Sequence, residues 1–270
     1  MSVATDRIAF DETKLASVLH DVRGGHPWLW LSVIAMLTGL VVMLFLQQFD
    51  ARLFNGVSVW DKPAKFFLSL VVQYGTVSWA LSQEPRTETK SRSIKWAVAL
   101  MLIAGWGEMA YMIFRASRAE ASHFNSNSLS GTIGYALMGV GSITLTFTAA
   151  FIGWKIWANR SYGLWTEAAG LALMAGAVLG TIAGGYMSAQ TGHWVGGVQS
   201  DAGGLPLFHW STTGGDLRVA HFIGLHAAQF IPLAALSGNR RVVYGACAVM
   251  ILLTAIIFVV SAGGVPLLQS

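Results

Sequence analysis

Seven stretches of predominantly apolar residues, each close to the length needed to cross a bilayer, constrain this chain more than any other feature. They run Trp28–Phe49, Ala64–Ser82, Trp96–Phe114, Thr132–Ala158, Glu167–Ser188, Leu217–Gly238 and Val242–Ala262. A transmembrane helix needs about 20 such residues, whereas a barrel strand needs about ten with alternating polarity. These runs are continuous and do not alternate, and lipid leaves helices as the way to satisfy every backbone group within one segment. The sequence therefore predicts an all-α, polytopic integral membrane helix bundle of about seven transmembrane helices, a single membrane domain over 1–270, with six or eight spans as the neighbouring counts. Composition agrees, because only 11% of the 270 residues are charged against roughly a quarter in soluble domains. The lone cysteine, Cys247, lies inside the last run, which excludes a disulfide scaffold. The 17 Lys and Arg form no dense basic run, so no nucleic-acid partner is expected.

Those basic residues orient the bundle instead. Eleven of them, from Arg7, Lys14 and Arg23 through Arg86, Lys90, Arg92, Lys95, Lys155 and Arg160 to Arg240 and Arg241, fall on one side of the seven runs. Arg52, Lys62, Lys65, Arg115, Arg118 and Arg218 fall on the other. The positive-inside rule then predicts a cytoplasmic N-terminus and an outside C-terminus, in a bacterial-type plasma (inner) membrane. Residues 1–27 are mixed in charge, carry no cleavable signal, and read as a cytoplasmic segment. Within it Ile8, Leu15, Val18, Leu19 and Val22 can line one face of a surface helix. In the fifth run Gly176, Gly180 and Gly184 form a small-residue ladder, the pattern that lets another backbone approach closely.

With this orientation five of the seven histidines, His123, His193, His209, His221 and His226, gather on the outside or in the outer half of a span. Ionisable groups at membrane depth are costly and normally face a bundle interior or cavity. On the sixth run Arg218, His221, His226 and Gln229 share a face about 140° wide at about 100° per residue. On the third, Glu108 lies one stripe with Tyr111, Arg115 and Arg118, about 10 Å below Arg115. On the second, Lys62, Lys65, Ser69, Gln73 and Thr76 form another polar face. The connection 189–216, with His193-Trp194 and His209-Trp210, is long for a compact protein and reads as an outer cover.

Imidazole is a common ligand of transition metals and of haem. The residues therefore suggest a metal or haem site for redox chemistry or electron transfer, with His221 and His226 as first ligands. His123 and Glu108 are further ligands or orienting groups, and Arg218 and Arg115 are counter-charges to a carboxylate or propionate. His193 and His209 are weaker candidates. Membrane lipid is the expected partner, with a redox partner or quinone if that chemistry holds. The alternatives are a proton-coupled transporter or channel using Glu108 and the histidines as relay groups, a small-ligand sensor or scaffold subunit, or a purely structural hydrogen-bond network. No phosphate-binding loop, Cys-x-x-Cys, His-Glu-x-x-His or Gly-x-Ser-x-Gly occurs, and the last span has no lysine for retinal.

Overall fold

The computed structural model describes residues 12–84, 91–125 and 128–268. Its helices are α1 (Glu12–Gly25), α2 (Pro27–Phe49), α3 (Asp61–Ser82), α4 (Arg92–Ser117), α5 (Leu129–Ala158), α6 (Leu164–Ser188), α7 (Leu217–Leu233) and α8 (Arg240–Ala262). Local chemistry sets the ends. Ser91, Ser128, Asp216 and Asn239 each accept a backbone N–H in the first turn of α4, α5, α7 and α8, and Pro27 opens α2, where its missing N–H costs nothing. Pro232 cannot continue the α7 ladder, and the helix tightens into a 3-10 turn over Ala234–Ser237. Gly238, at φ +66°, then reverses the chain into α8.

Among the described residues six helices are long and apolar enough to cross a membrane: α2, α4, α5, α6, α7 with its 3-10 extension, and α8. Together they make this an all-α integral membrane protein. Their outward faces carry large apolar residues at helical spacing, such as Ile133, Leu137, Val140 and Phe147 on α5 and Val249, Leu252, Ile256 and Val259 on α8, surfaces that lipid covers. The expected second span is α3. It has 22 residues but also Asp61, Lys62, Lys65 and a polar stripe, so apolarity alone does not mark it. It nevertheless lies antiparallel along α2. Phe67 fills the space where a Cβ at Gly39 would lie, and at the far end Ser78 meets Gly25 and accepts from the His26 N–H (3.1 Å). Its buried face of Phe67, Leu70, Tyr74, Val77 and Leu81 belongs to the main core with α2, α4 and α5.

The small ladder of α6 is spent on packing. A Cβ at Gly176 would lie 2.8 Å from the Leu225 carbonyl oxygen, one at Gly180 would collide with the Leu225 side chain, and one at Gly184 would lie 2.8 Å from the His221 ring. Helix α7 can therefore lie directly against α6. In the N-terminal segment, α1 docks on α3 through Ser78 Oγ, which donates to the Val22 carbonyl (2.6 Å), while Val18 and Leu19 stay exposed. Ile8 lies outside the described residues.

Two minimal antiparallel ladders sit at the end where the histidines gather, called here the His-rich end. Strands β1 (Leu53–Phe54) and β2 (Val57–Ser58) flank Asn55-Gly56, both at positive φ as a tight hairpin turn requires. Strands β3 (Trp194–Val195) and β4 (Gly215–Asp216) close the two ends of the 189–216 connection on each other. Asn55 O accepts from Asp201 N (3.1 Å) and Ser200 Oγ (3.2 Å), so the connection is pinned across the bundle to the hairpin.

Candidate functional site

Most of the residues singled out from the sequence do occupy the His-rich end, but they divide into separate sets. Arg218, in the first turn of α7, is held by Asp216 (Nη2 to Oδ2 2.7 Å, Nε to Oδ1 3.0 Å) and by Asp201 (Nη1 to Oδ1 2.8 Å), and donates to the His209 carbonyl (2.6 Å). Asp216 is 2% exposed and also caps α7. His193 Nε2 stands 3.7 Å from Asp201. Burial alone would raise the Asp201 carboxyl, but His193 and the Arg218 guanidinium hold it down, to about 2. Burial pushes the His193 imidazole below its ordinary value despite Asp201. Arg218 is thus neutralised by the protein's own acids and is no ready counter-charge for a ligand.

Arg115 is similarly engaged. It is buried, its Nη1 is 2.7 Å from Glu120 Oε2, and its Nε donates to the Ala121 carbonyl (3.1 Å). It pins the connection after α4 and makes no ion pair with Glu108. Sharing a stripe seven residues apart brought the two onto one helix face, but the arginine head turns toward the connection, where an acid and a carbonyl await it. Glu108 is 4% exposed, with the Ser142 hydroxyl of α5 as the donor to its Oε1 (3.1 Å). Gly141 makes room for it, because a Cβ there would lie 2.5 Å from Glu108 Oε1. One turn along α4 toward the opposite end, the Tyr74 hydroxyl of α3 fills the space left by Gly105, fully buried and without a hydrogen-bond partner among the described residues.

The histidines do not converge. His123 Nδ1 lies 3.2 Å from Lys62 Nζ and 3.1 Å from Ser122 Oγ. Burial first, and Lys62 second, hold this imidazole well below its ordinary value, so it is neutral. His221 Nδ1 donates to the Gly180 carbonyl (2.9 Å). His226, about 140° further round α7, stacks between Phe222 (4.0 Å between centroids) and Phe230 (6.5 Å). His209 Nε2 is 3.3 Å from Asp61, which also pairs with Lys65 (2.6 Å). Among the described residues no three His, Cys, Asp or Glu side chains come together at metal-ligand spacing.

No family model matches this chain, and no curated protein or solved structure is similar to it.

Lys62 is the group whose importance the sequence understated. It keeps exposed surface although Glu108, Asp201 and Arg218 act on its charge and His123 stands 3.2 Å from its Nζ, which a concave surface at the His-rich end, here called the cleft, accounts for. Deeper, the helices close. Gln73, Thr146, Leu173, Gly176, Leu225 and Ala228 line a cavity of about 10 Å³, room for about one water. Gln229 Nε2 ties α7 to Thr76 of α3 (2.8 Å) at that level.

Proposed function

We propose that this chain is a plasma-membrane protein of bacterial type in which Glu108 takes up and releases a proton from the cleft at the His-rich end, in the service of proton-coupled transport. The observation that carries the reading is the state of Glu108. It is a nearly inaccessible carboxyl within a span, it has one hydroxyl donor and it makes no ion pair among the described residues. Structural acids here look different: Glu167 on α6 is as buried but holds Arg240 (2.6 Å) and Tyr244 (2.8 Å). An intramembrane carboxyl without such a partner is the usual mark of a proton-handling group. The cleft supplies access, with Lys62 and neutral His123 between Glu108 and the exterior.

Infrared difference spectra between acid and neutral pH test this directly. The purified protein is expected to show a protonated-carboxyl band that titrates and disappears in Glu108→Gln. A titrating band identical in both proteins would sink the proposal.

A metal or haem held by His221 is the second reading. Its support is that Nδ1 donates to a backbone carbonyl, the second contact that ligating histidines normally make, which leaves Nε2 with its lone pair free. Metal analysis and an absorption spectrum of the wild type and of His221→Ala separate the two readings.

A further inference from the structure

Among the described residues, every cation at the His-rich end lies within ion-pair distance of an acid except one, Arg115 and Arg118 sharing theirs. Arg52 pairs with Asp50, Lys65 with Asp61, Arg115 and Arg118 with Glu120, and Arg218 with Asp216 and Asp201. Lys62 alone, among the described residues of this end, ends on an imidazole, with Nζ 3.2 Å from His123 Nδ1. An ammonium carries three N–H donors and no acceptor. One of them goes to His123, and two remain for the cleft. Because Nδ1 accepts, the neutral imidazole carries its proton on Nε2, a further donor. The lining beside them is apolar, since the His123 ring lies 5.8 Å from Phe66 and 6.0 Å from Tyr135, which in turn meets Phe124 at 5.5 Å.

We infer that the cleft takes a small monovalent organic anion, a carboxylate with a short apolar body, seated on Lys62 and His123, and that one proton from solvent enters Glu108 as the anion binds. This rests on the proton-handling reading of Glu108 and names its substrate class. A single unpaired cation matches a single negative charge, and a divalent phosphate would bring a second one into a weakly polar site with nothing to balance it. Two negative charges beside one lysine repel each other, so the carboxylate and the proton enter together. The net charge of the site is unchanged, and no covalent bond other than the O–H at Glu108 forms.

Sodium benzoate is the probe, added to purified protein in weak buffer while binding is followed by calorimetry and proton uptake by a pH dye. The wild type is expected to bind benzoate saturably with about one proton taken up per anion. Lys62→Gln is expected to weaken binding at least about tenfold, or 1.4 kcal/mol, whereas Lys62→Arg stays within about threefold. Glu108→Gln is expected to bind benzoate without proton uptake. Benzoate should also protect Lys62 of the wild type from acylation by acetic anhydride, read by mass spectrometry, which needs no variant. Unchanged binding in Lys62→Gln, absence of both binding and protection, or preference for inorganic phosphate or tetramethylammonium over benzoate overturns the anion site. Benzoate binding that depends on Lys62 without proton uptake in the wild type upholds the anion site and overturns the coupling to Glu108.

Discussion

Arg218 is gripped by two aspartates with different origins in the chain. Asp216 is its neighbour and helix cap, whereas Asp201 arrives from within the 189–216 connection. The local half was readable, since an aspartate two residues before an arginine at the start of a span is an N-cap pattern. The distant half depends on where a glycine-rich segment folds back, which no periodicity encodes. That is why the sequence offered Arg218 to a ligand while the fold gives it to the protein. Arg218→Ala would leave Asp216 buried and unpaired, at an expected cost of about 3–5 kcal/mol, read as a lowered midpoint of thermal unfolding in detergent. Asp201→Asn, which leaves Asp216 in place, should cost clearly less. Glu108 illustrates the opposite case. Its depth and its need of an unusual environment were legible from its position in the third run. Its hydroxyl donor Ser142 was not, because α5 presents several small polar residues and only packing selects one.

At the scale of elements, the glycines of α6 settle how close α7 can come. Gly180→Val would place two methyl groups against Leu225, where even a Cβ collides. The expected overpacking cost is about 1–3 kcal/mol, measured again by thermal unfolding, with Gly185→Ala, which meets nothing within 4 Å, as the harmless comparison. Spacing in the sequence was enough to find this ladder and to expect packing from it. Spacing also placed His221 and His226 on one broad polar face, but the two edges of that face meet different neighbours. His221 faces the glycine edge of α6 and His226 an aromatic stack. A helical wheel gives the angle between side chains and not the identity of the helices that stand opposite them.

For the whole molecule, the apolar runs and the helix bundle they form were legible, but the second expected span, Ala64–Ser82, is the helix α3, whose polar residues set it apart from the six described helices apolar enough to cross a membrane. Orientation is an expectation from basic residues, and a periplasm-active reporter fused after Ser270 should be active, whereas the same reporter after a span with a cytoplasmic end should be silent. Stability should also depend on pH through the His-rich end. Burial holds His123 and His193 below their ordinary value of about 6.5, so both protonate more readily when unfolded than when folded. Their contribution is complete above that value and is lost as pH falls from it toward the folded values. The unfolding midpoint should therefore drop between pH 7.5 and 5.5, and drop less in His123→Gln.

The polarity of α3 carries a consequence for how the protein is made. A helix that begins Asp61-Lys62-Pro63-Ala64-Lys65 gains little by leaving the insertion channel for lipid on its own, whereas α2, almost uniformly apolar, leaves readily. Since Phe67 fits the hollow over Gly39 and Ser78 receives His26, α2 offers α3 a matched surface while the ribosome is still extending the chain. The two helices are therefore expected to enter the membrane as one hairpin, with α3 delivered by the helix synthesised just before it.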